Sequence, residues 1–501
     1  MPASKCRSEF PAPVYRTTVL EQVFADAKRF FLTPLLEIEV AHTLMLARQG
    51  IMPTTEAAQC LRAIDGLDVA AIRDAVYDGS FEDLFFFVER EIAARSNEEA
   101  AGKMHTARSR NDIDLTMYRM VLRDRLASTM SSLLEVRDRF VTLAWEHRAS
   151  LMPAYTHNQP AQPTTLGHYL MAIVECFERD FDRLRAALVR VNRCSMGACA
   201  ITTTGFPIDR DYTASLLGFD GLQVNSYGAI ASVDYLAESC STLAVLMLNL
   251  GRLSQDLMQW SSVEFGYIRL SDGYVQISSI MPQKRNPVPL EHIRILASKA
   301  LMQAQATVGS LHNTPFTDMN DGEDDLQPLV YSAFDDADRS LKLLAGVLEE
   351  IEFMTERMLD CANANFLTVT ELADTLVRET GMSFHQAHQV VSAAVKEQDG
   401  TFNVGRIADS VHGVMTRMKS GFAIPPIDVL QRSLDAANFV SVRTIQGGPA
   451  LLALEPEIER SRKLLSDDSQ WLRSRAAAIE NAHARVQLAK KELFTKADAR
   501  I

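Results

Sequence analysis

The chain has 501 residues, 47% hydrophobic, 7% aromatic and 23% charged, with 51 basic against 64 acidic side chains and a formal net charge of -13. That is enough apolar material for a sizeable core and several domains, while the acidic balance argues against a nucleic-acid partner and requires any anion site to be locally basic. No run approaches the roughly 18 to 20 apolar residues of a membrane helix, and Met1 to Arg16 lacks the apolar core of a signal peptide, so a cytoplasmic protein without membrane contact is expected.

Taken in chain order, the first polar cluster is Thr106-Ala107-Arg108-Ser109-Arg110-Asn111-Asp112, preceded by Gly102-Lys103-Met104-His105. By itself such an Arg/Asn-rich turn reads as structural. The same holds for the lone His157 in Tyr155-Thr156-His157-Asn158-Gln159-Pro160-Ala161-Gln162-Pro163-Thr164-Thr165. Leu166 to Arg190 then reads as a long helix, and Gly205-Phe206-Pro207 as a break. Leu243, Leu246, Leu250, Leu253, Leu257 and Trp260 alternate three and four residues apart, the seam of a bundle helix rather than a cofactor box.

Leu270-Ser271-Asp272-Gly273 is loop-like, and Ser278-Ser279-Ile280-Met281-Pro282-Gln283-Lys284-Arg285-Asn286-Pro287 is bounded by two prolines that oppose a continuous helix. A mobile loop between helices is expected there. It offers a hydroxyl to activate, a lysine to hold a carboxylate and an asparagine to hydrogen-bond another. A polar surface turn is the plainer reading. Pro289 to Leu311 reads as a further long helix. The acidic run Asp318 to Asp325 reads as a solvated loop without a role, and Ser383 with Gln386 as a capping box opening a helix through Val390. Seven cysteines, scattered singly from Cys6 to Cys361, suggest neither a disulfide framework nor a zinc site. No Gly-x-Gly-x-x-Gly follows a strand pattern, and there is no internal repeat. Helical periodicity dominates, so the expected fold class is all-α.

The segment from Ser278 to Pro287 resembles the fumarase/aspartase superfamily signature Gly-Ser-Ser-x-Met-Pro-x-Lys-x-Asn-Pro, with Ile277 in place of the first glycine. Thr106 to Asp112 resembles the Thr-Gly-Arg-Ser-Arg-Asn-Asp stretch of argininosuccinate lyases, and Tyr155 to Pro163 their Tyr-Thr-His-x-Gln-x-Ala-Gln-Pro stretch. Three such segments in order identify the chain as a member of this superfamily, in that branch. The resemblance implies an N-terminal, mostly helical domain over 1–105, a central helix bundle over 106–360 and a helical C-terminal domain over 361–501. It also implies a homotetramer with a twenty-helix core and sites shared by three subunits, in which the Leu243 to Trp260 seam could be buried between chains.

The reaction implied is β-elimination of an amine from an N-substituted aspartate to give fumarate, without metal or cofactor. Ser278 is then the base that removes the Cβ proton. Lys284 stabilises the aci-carboxylate, and Asn286 holds a substrate carboxylate. His157 is assigned to proton donation at the departing amine, with Glu291 orienting it. Ser109, Asn111, Thr156 and Gln159 bind the fumarate-forming half, while Arg110 supplies charge or structures its turn. Ser279 contacts substrate or structures its loop.

Departures from argininosuccinate lyases concern the rest of the substrate. Their Asp-Ile-x-Gly-Ser-x-Ala-His is here Leu35-Leu36-Glu37-Ile38-Glu39-Val40-Ala41-His42, and their Glu-Asp-Ile-His is Glu82-Asp83-Leu84-Phe85. An Asp-Arg pair is lost within Asn225 to Asp234, and the Tyr, Gln and Lys expected around Asp318 to Leu326 are absent. The expectation is an unchanged reaction on a changed substrate, an aminopolycarboxylate such as ethylenediaminedisuccinate, with argininosuccinate as the alternative. A non-catalytic lens-crystallin-like protein is the alternative of another class. Retention of Ser278, Lys284, Asn286, His157 and Glu291 argues against it.

Overall fold

The computed structural model describes residues 10–418 and 421–499. Cys6 and most of the segment weighed as a signal peptide lie outside them. The other six cysteines are free thiols, four buried and two, Cys176 and Cys361, half-buried. Among the described residues no single helix is long and apolar enough to cross a membrane.

Helices dominate, and three two-stranded antiparallel ribbons are the sheets of the described residues. Five long helices form the centre: Arg110–Glu146, Leu166–Val191, Asp234–Trp260, Val288–Leu311 and Gln327–Glu350. Each packs on the next, and the fifth packs back on the first, closing a five-membered ring. Local signals set their starts. Asp112 accepts the Ser109 backbone N–H at 2.8 Å in a capping box, and Pro289 and Pro328 sit in the first turns of the fourth and fifth helices, where no intrahelical N–H is needed.

The leucine seam is on the third helix as expected, but its burial differs from the intersubunit expectation. Leu243, Leu246, Leu250, Leu253, Leu257 and Trp260 are all at most 5% exposed within the chain itself. Neighbouring helices of the ring already cover them. The same helix turns Val245 and Leu248 outward instead.

The N-terminal helices share the apolar core of the ring, whereas Leu372 to Leu434 form a second core of their own. The final helix, Leu451–Asp498, returns to the ring through Leu454, Ile458 and Leu493. The capping box at Ser383 is present, Gln386 N–H donating to Ser383 Oγ at 3.3 Å, and the helix it opens runs to Lys396.

Candidate active site

Ser109 and Asn111 stand at the start of the first bundle helix, joined by a hydrogen bond from Ser109 Oγ to Asn111 Oδ1 of 3.0 Å. What fixes this end is buried. Asp112 accepts backbone N–H groups of Ser109, Gly197 and Cys199 at 2.8, 2.8 and 3.1 Å, which clasps the 197–199 loop to the helix. Burial pushes its carboxyl up to about 6 against these hydrogen bonds. Arg108, with no exposed side-chain surface, reaches Glu39 at 2.7 Å and Glu89 at 3.7 Å. His42 contacts Thr106 O at 2.9 Å, and burial, reinforced by the Arg108 charge, lowers its pKa to about 3. It is a neutral donor. Arg110 is tied to Glu82 at 2.9 Å and Asp83 at 2.7 Å, and lies over the Phe86 ring. Of the two roles expected for it, structuring the turn is the one its contacts support.

His157 sits at the tip of a β-hairpin formed by Leu151–Thr156 and Gln159–Thr165. Both residues of the two-residue turn have positive φ, 54° at His157 and 58° at Asn158, as type I′ geometry demands. His and Asn are among the side chains that adopt this region most readily. The turn exposes Thr156, His157 and Gln159 together. His157 edges a cavity of about 530 Å³ also lined by Tyr169, Arg252, Asp256 and Trp260.

The Ser278 segment is not an unpaired loop between helices. Gln276–Ile277 and Arg285–Asn286 pair as a short ribbon, and Asn286 Nδ2 donates to Gln276 O at 3.1 Å across it. Arg285 secures the ribbon from outside through Asp272 at 2.6 Å and Leu270 O at 2.8 Å. Within it, Ser278 Oγ accepts the backbone N–H of Met281 at 3.1 Å and of Ile280 at 3.5 Å. Ser279 makes no such bond among the described residues and is exposed, as is Lys284. Organising the turn therefore falls to Ser278, not Ser279.

Within one chain no described hydrogen bond or ion pair joins the segments of Ser278, His157 and Ser109. Glu291, in the first turn of the fourth bundle helix, is exposed and makes no described bond to His157.

Two features escaped the sequence reading. Glu39 was counted as a lost serine, yet it is the buried partner of Arg108. The acidic run was read as solvated, yet of its acids only Asp321 and Asp325 are exposed, while Asp318, Glu323 and Asp324 are half-buried. Asn111 Nδ2 donates to Asp318 Oδ2 at 2.7 Å and Tyr118 OH to Asp324 Oδ1 at 2.9 Å. The 3.6-residue spacing of Asn111, Asp114 and Tyr118 was the available signal that one helix face awaited a partner.

A family model described as lyase matches residues 71–301, and one described as argininosuccinate lyase C-terminal matches 366–402. The chain is 44% identical over 454 residues to argininosuccinate lyase 2 of Agrobacterium fabrum, covering 90% of each. It is 35% identical over 461 residues to the argininosuccinate lyase of Methanoculleus marisnigri, covering 91% of this chain and 92% of that one. Among solved structures, a variant of EDDS lyase with bound fumarate superposes with a TM-score of 0.86 at 31% identity over 98% of this chain and 97% of that one. EDDS lyase in complex with formate gives 0.84 at 30% identity, over 99% and 98%.

Proposed function

The chain belongs to the fumarase/aspartase superfamily, in its argininosuccinate lyase branch, and from that premise we propose how its residues act and on what. It is a fumarate-releasing carbon–nitrogen lyase. The observation that carries our reading is the Ser278 hydroxyl, which accepts the Met281 N–H at 3.1 Å. A donor aimed at this oxygen favours its alkoxide, the form able to take a weakly acidic proton.

In the proposed reaction Ser278 removes the Cβ proton, and Lys284 stabilises the charge that moves onto the adjacent carboxylate. The Cα–N bond then breaks with its electron pair leaving on nitrogen, the carbon–carbon double bond of fumarate forms, and His157 supplies a proton to the amine. Glu291 of another copy orients His157. Ser109, Asn111, Thr156, Gln159 and Asn286 hold the succinyl half. Exposure of Ser278's segment, His157 and Glu291 without a described bond between them supports assembly of the site between subunits. A ring of five helices per chain is the number that four copies need for a twenty-helix core.

For the substrate, ethylenediaminedisuccinate is supported by the full-length likeness to EDDS lyase and by the missing Tyr, Gln and Lys near Asp318. Argininosuccinate is the second reading, favoured by the 44% identity to an argininosuccinate lyase. Fumarate release from the two, followed in parallel by ultraviolet absorbance, separates them. Turnover of neither would leave other N-substituted aspartates and count against both readings.

A further inference from the structure

His157, at the rim of the cavity of about 530 Å³, is the one lining residue to which the elimination chemistry gives a task. The volume lies within the roughly 300–1,000 Å³ of small-molecule sites. One wall is a single face of the third bundle helix, on which Arg252, Asp256, Gln259 and Trp260 recur at helical spacing. The hairpin completes the cavity together with Phe439, Arg443 and Pro449 from the far end of the chain.

Two of the basic groups there are already engaged. Arg443 lies 2.9 Å from Glu371, and both ring nitrogens of His168 are occupied, by Thr164 Oγ1 at 2.8 Å and Gly447 O at 3.0 Å. Arg252 differs from them: it is exposed and makes none of the described hydrogen bonds or ion pairs. Asp256, one turn further along, stands where an i,i+4 ion pair could form, yet none is described. Tyr169 holds it instead, donating to Oδ2 at 2.6 Å and leaving Oδ1 without a described donor. Burial, and then the Asp256 charge, raises the Tyr169 pKa well above its ordinary value against the opposing Arg252 charge, so the phenol remains the donor. A cation and an anion thus line one cavity side by side without pairing. The rings of Tyr169 and Trp260, 4.8 Å apart between centroids, add apolar surface beside them.

This pattern is complementary to a zwitterion on an aliphatic arm. A lone anion would meet Asp256, and a lone cation Arg252. We infer that the cavity receives the departing amine by an α-amino-acid head group, with its carboxylate on Arg252, its ammonium on Asp256 and its methylenes against Tyr169 and Trp260. The inference rests on the lyase reading, in which His157 protonates that amine, and extends it to the other end of the molecule. Both substrates weighed above fit. Argininosuccinate releases arginine and ethylenediaminedisuccinate releases N-(2-aminoethyl)aspartate, each with an amino group and a carboxylate on one carbon. Arg252 and Asp256 are therefore binding residues that select among amines, and no covalent step is added.

The test measures, on the purified full chain, both fumarate release from the two substrates and calorimetric binding of their amines. L-arginine is compared with agmatine, and N-(2-aminoethyl)aspartate with N-ethylethylenediamine, which keep the amine and lack the carboxylates. The amine of the substrate that is turned over is expected to bind at least about tenfold tighter than its carboxylate-free analogue. In Arg252→Gln that ratio falls to about threefold or less, while Arg252→Lys retains most of it. Asp256→Asn weakens acid and analogue alike, and no change there overturns the zwitterion assignment. Equal binding of acid and analogue overturns the proposal, as does an unchanged ratio in an Arg252→Gln variant that melts with the parent. Fumarate release with no binding of either amine overturns it and leaves the lyase reading standing. Arg252-dependent binding of an amine without fumarate from either substrate upholds the site and overturns both substrate readings. Silence in both assays overturns all of them.

Discussion

Glu39 Oε2 lies 2.7 Å from Arg108 Nη1, with 2% of the one side chain and none of the other exposed. This buried pair, 69 residues apart in sequence, fixes the residue immediately before Ser109. Removing one member leaves the other charge buried and alone, so Glu39→Gln should destabilise the fold by about 3–5 kcal/mol, read from denaturant unfolding. A loss below about 1 kcal/mol would show that the pair does not anchor the segment.

Ser278→Ala should lower kcat by about 10²–10⁴-fold if Ser278 is the base. The ribbon around it is held by Arg285 and by the Asn286 bond to Gln276, so far-ultraviolet circular dichroism should not change. Turnover within threefold of the parent, roughly 0.6 kcal/mol, would remove Ser278 from that role.

His157→Asn keeps a side chain suited to the positive φ of the turn and removes the titrating ring. Turnover should fall more for amines that leave poorly than for those that leave well. Equal losses would mean that His157 positions substrate instead of donating a proton.

Mixing inactive Ser278→Ala and His157→Asn subunits should restore part of the activity if the two residues act in one site from different subunits; within a chain no described hydrogen bond or ion pair joins their segments. Recovery is measured after joint refolding or subunit exchange. Its absence in mixed oligomers would argue that each site belongs to one subunit.

Glu323 gives a pH dependence with a defined sign. An unfolded chain loses this proton near 4.5, whereas burial and the charges of Asp318 and Asp324 hold it to about 8 in the fold, opposed by Arg110. The folded state therefore binds more protons between those values, and this contribution to stability declines as pH rises from about 4.5 to 8. Asp114, Tyr118 and Tyr235 also face this segment and are unaltered in Glu323→Gln. That variant should show a flatter decline of Tm over the window, with its advantage over the parent greatest above pH 8. Parallel Tm profiles would exclude Glu323 as a source of the decline.

Local rules made much of the chain legible as sequence. Alternating three and four spacing from Leu243 to Trp260 marks a bundle helix, because an apolar stripe at helical period must be covered. Ser383 and Gln386 mark a helix start, because two backbone donors there lack helical partners. The elimination motif around Ser278 was equally plain, through its resemblance to the superfamily signature. What covers a stripe is a different matter. The Leu243 seam is closed by the other helices of its own ring, an outcome of packing that spacing does not encode. Glu39 looked like a lost serine until the fold brought Arg108 to it, and the Asp318 to Asp325 run looked like a solvated loop until Asn111 and Tyr118 drew part of it inward. In both cases the charge was visible and its surroundings were not, because burial and ionisation depend on contacts between residues tens to hundreds of positions apart. The sequence by itself determined the helices, their caps and the reaction class; only the tertiary structure decided which charges are buried, and with what partners.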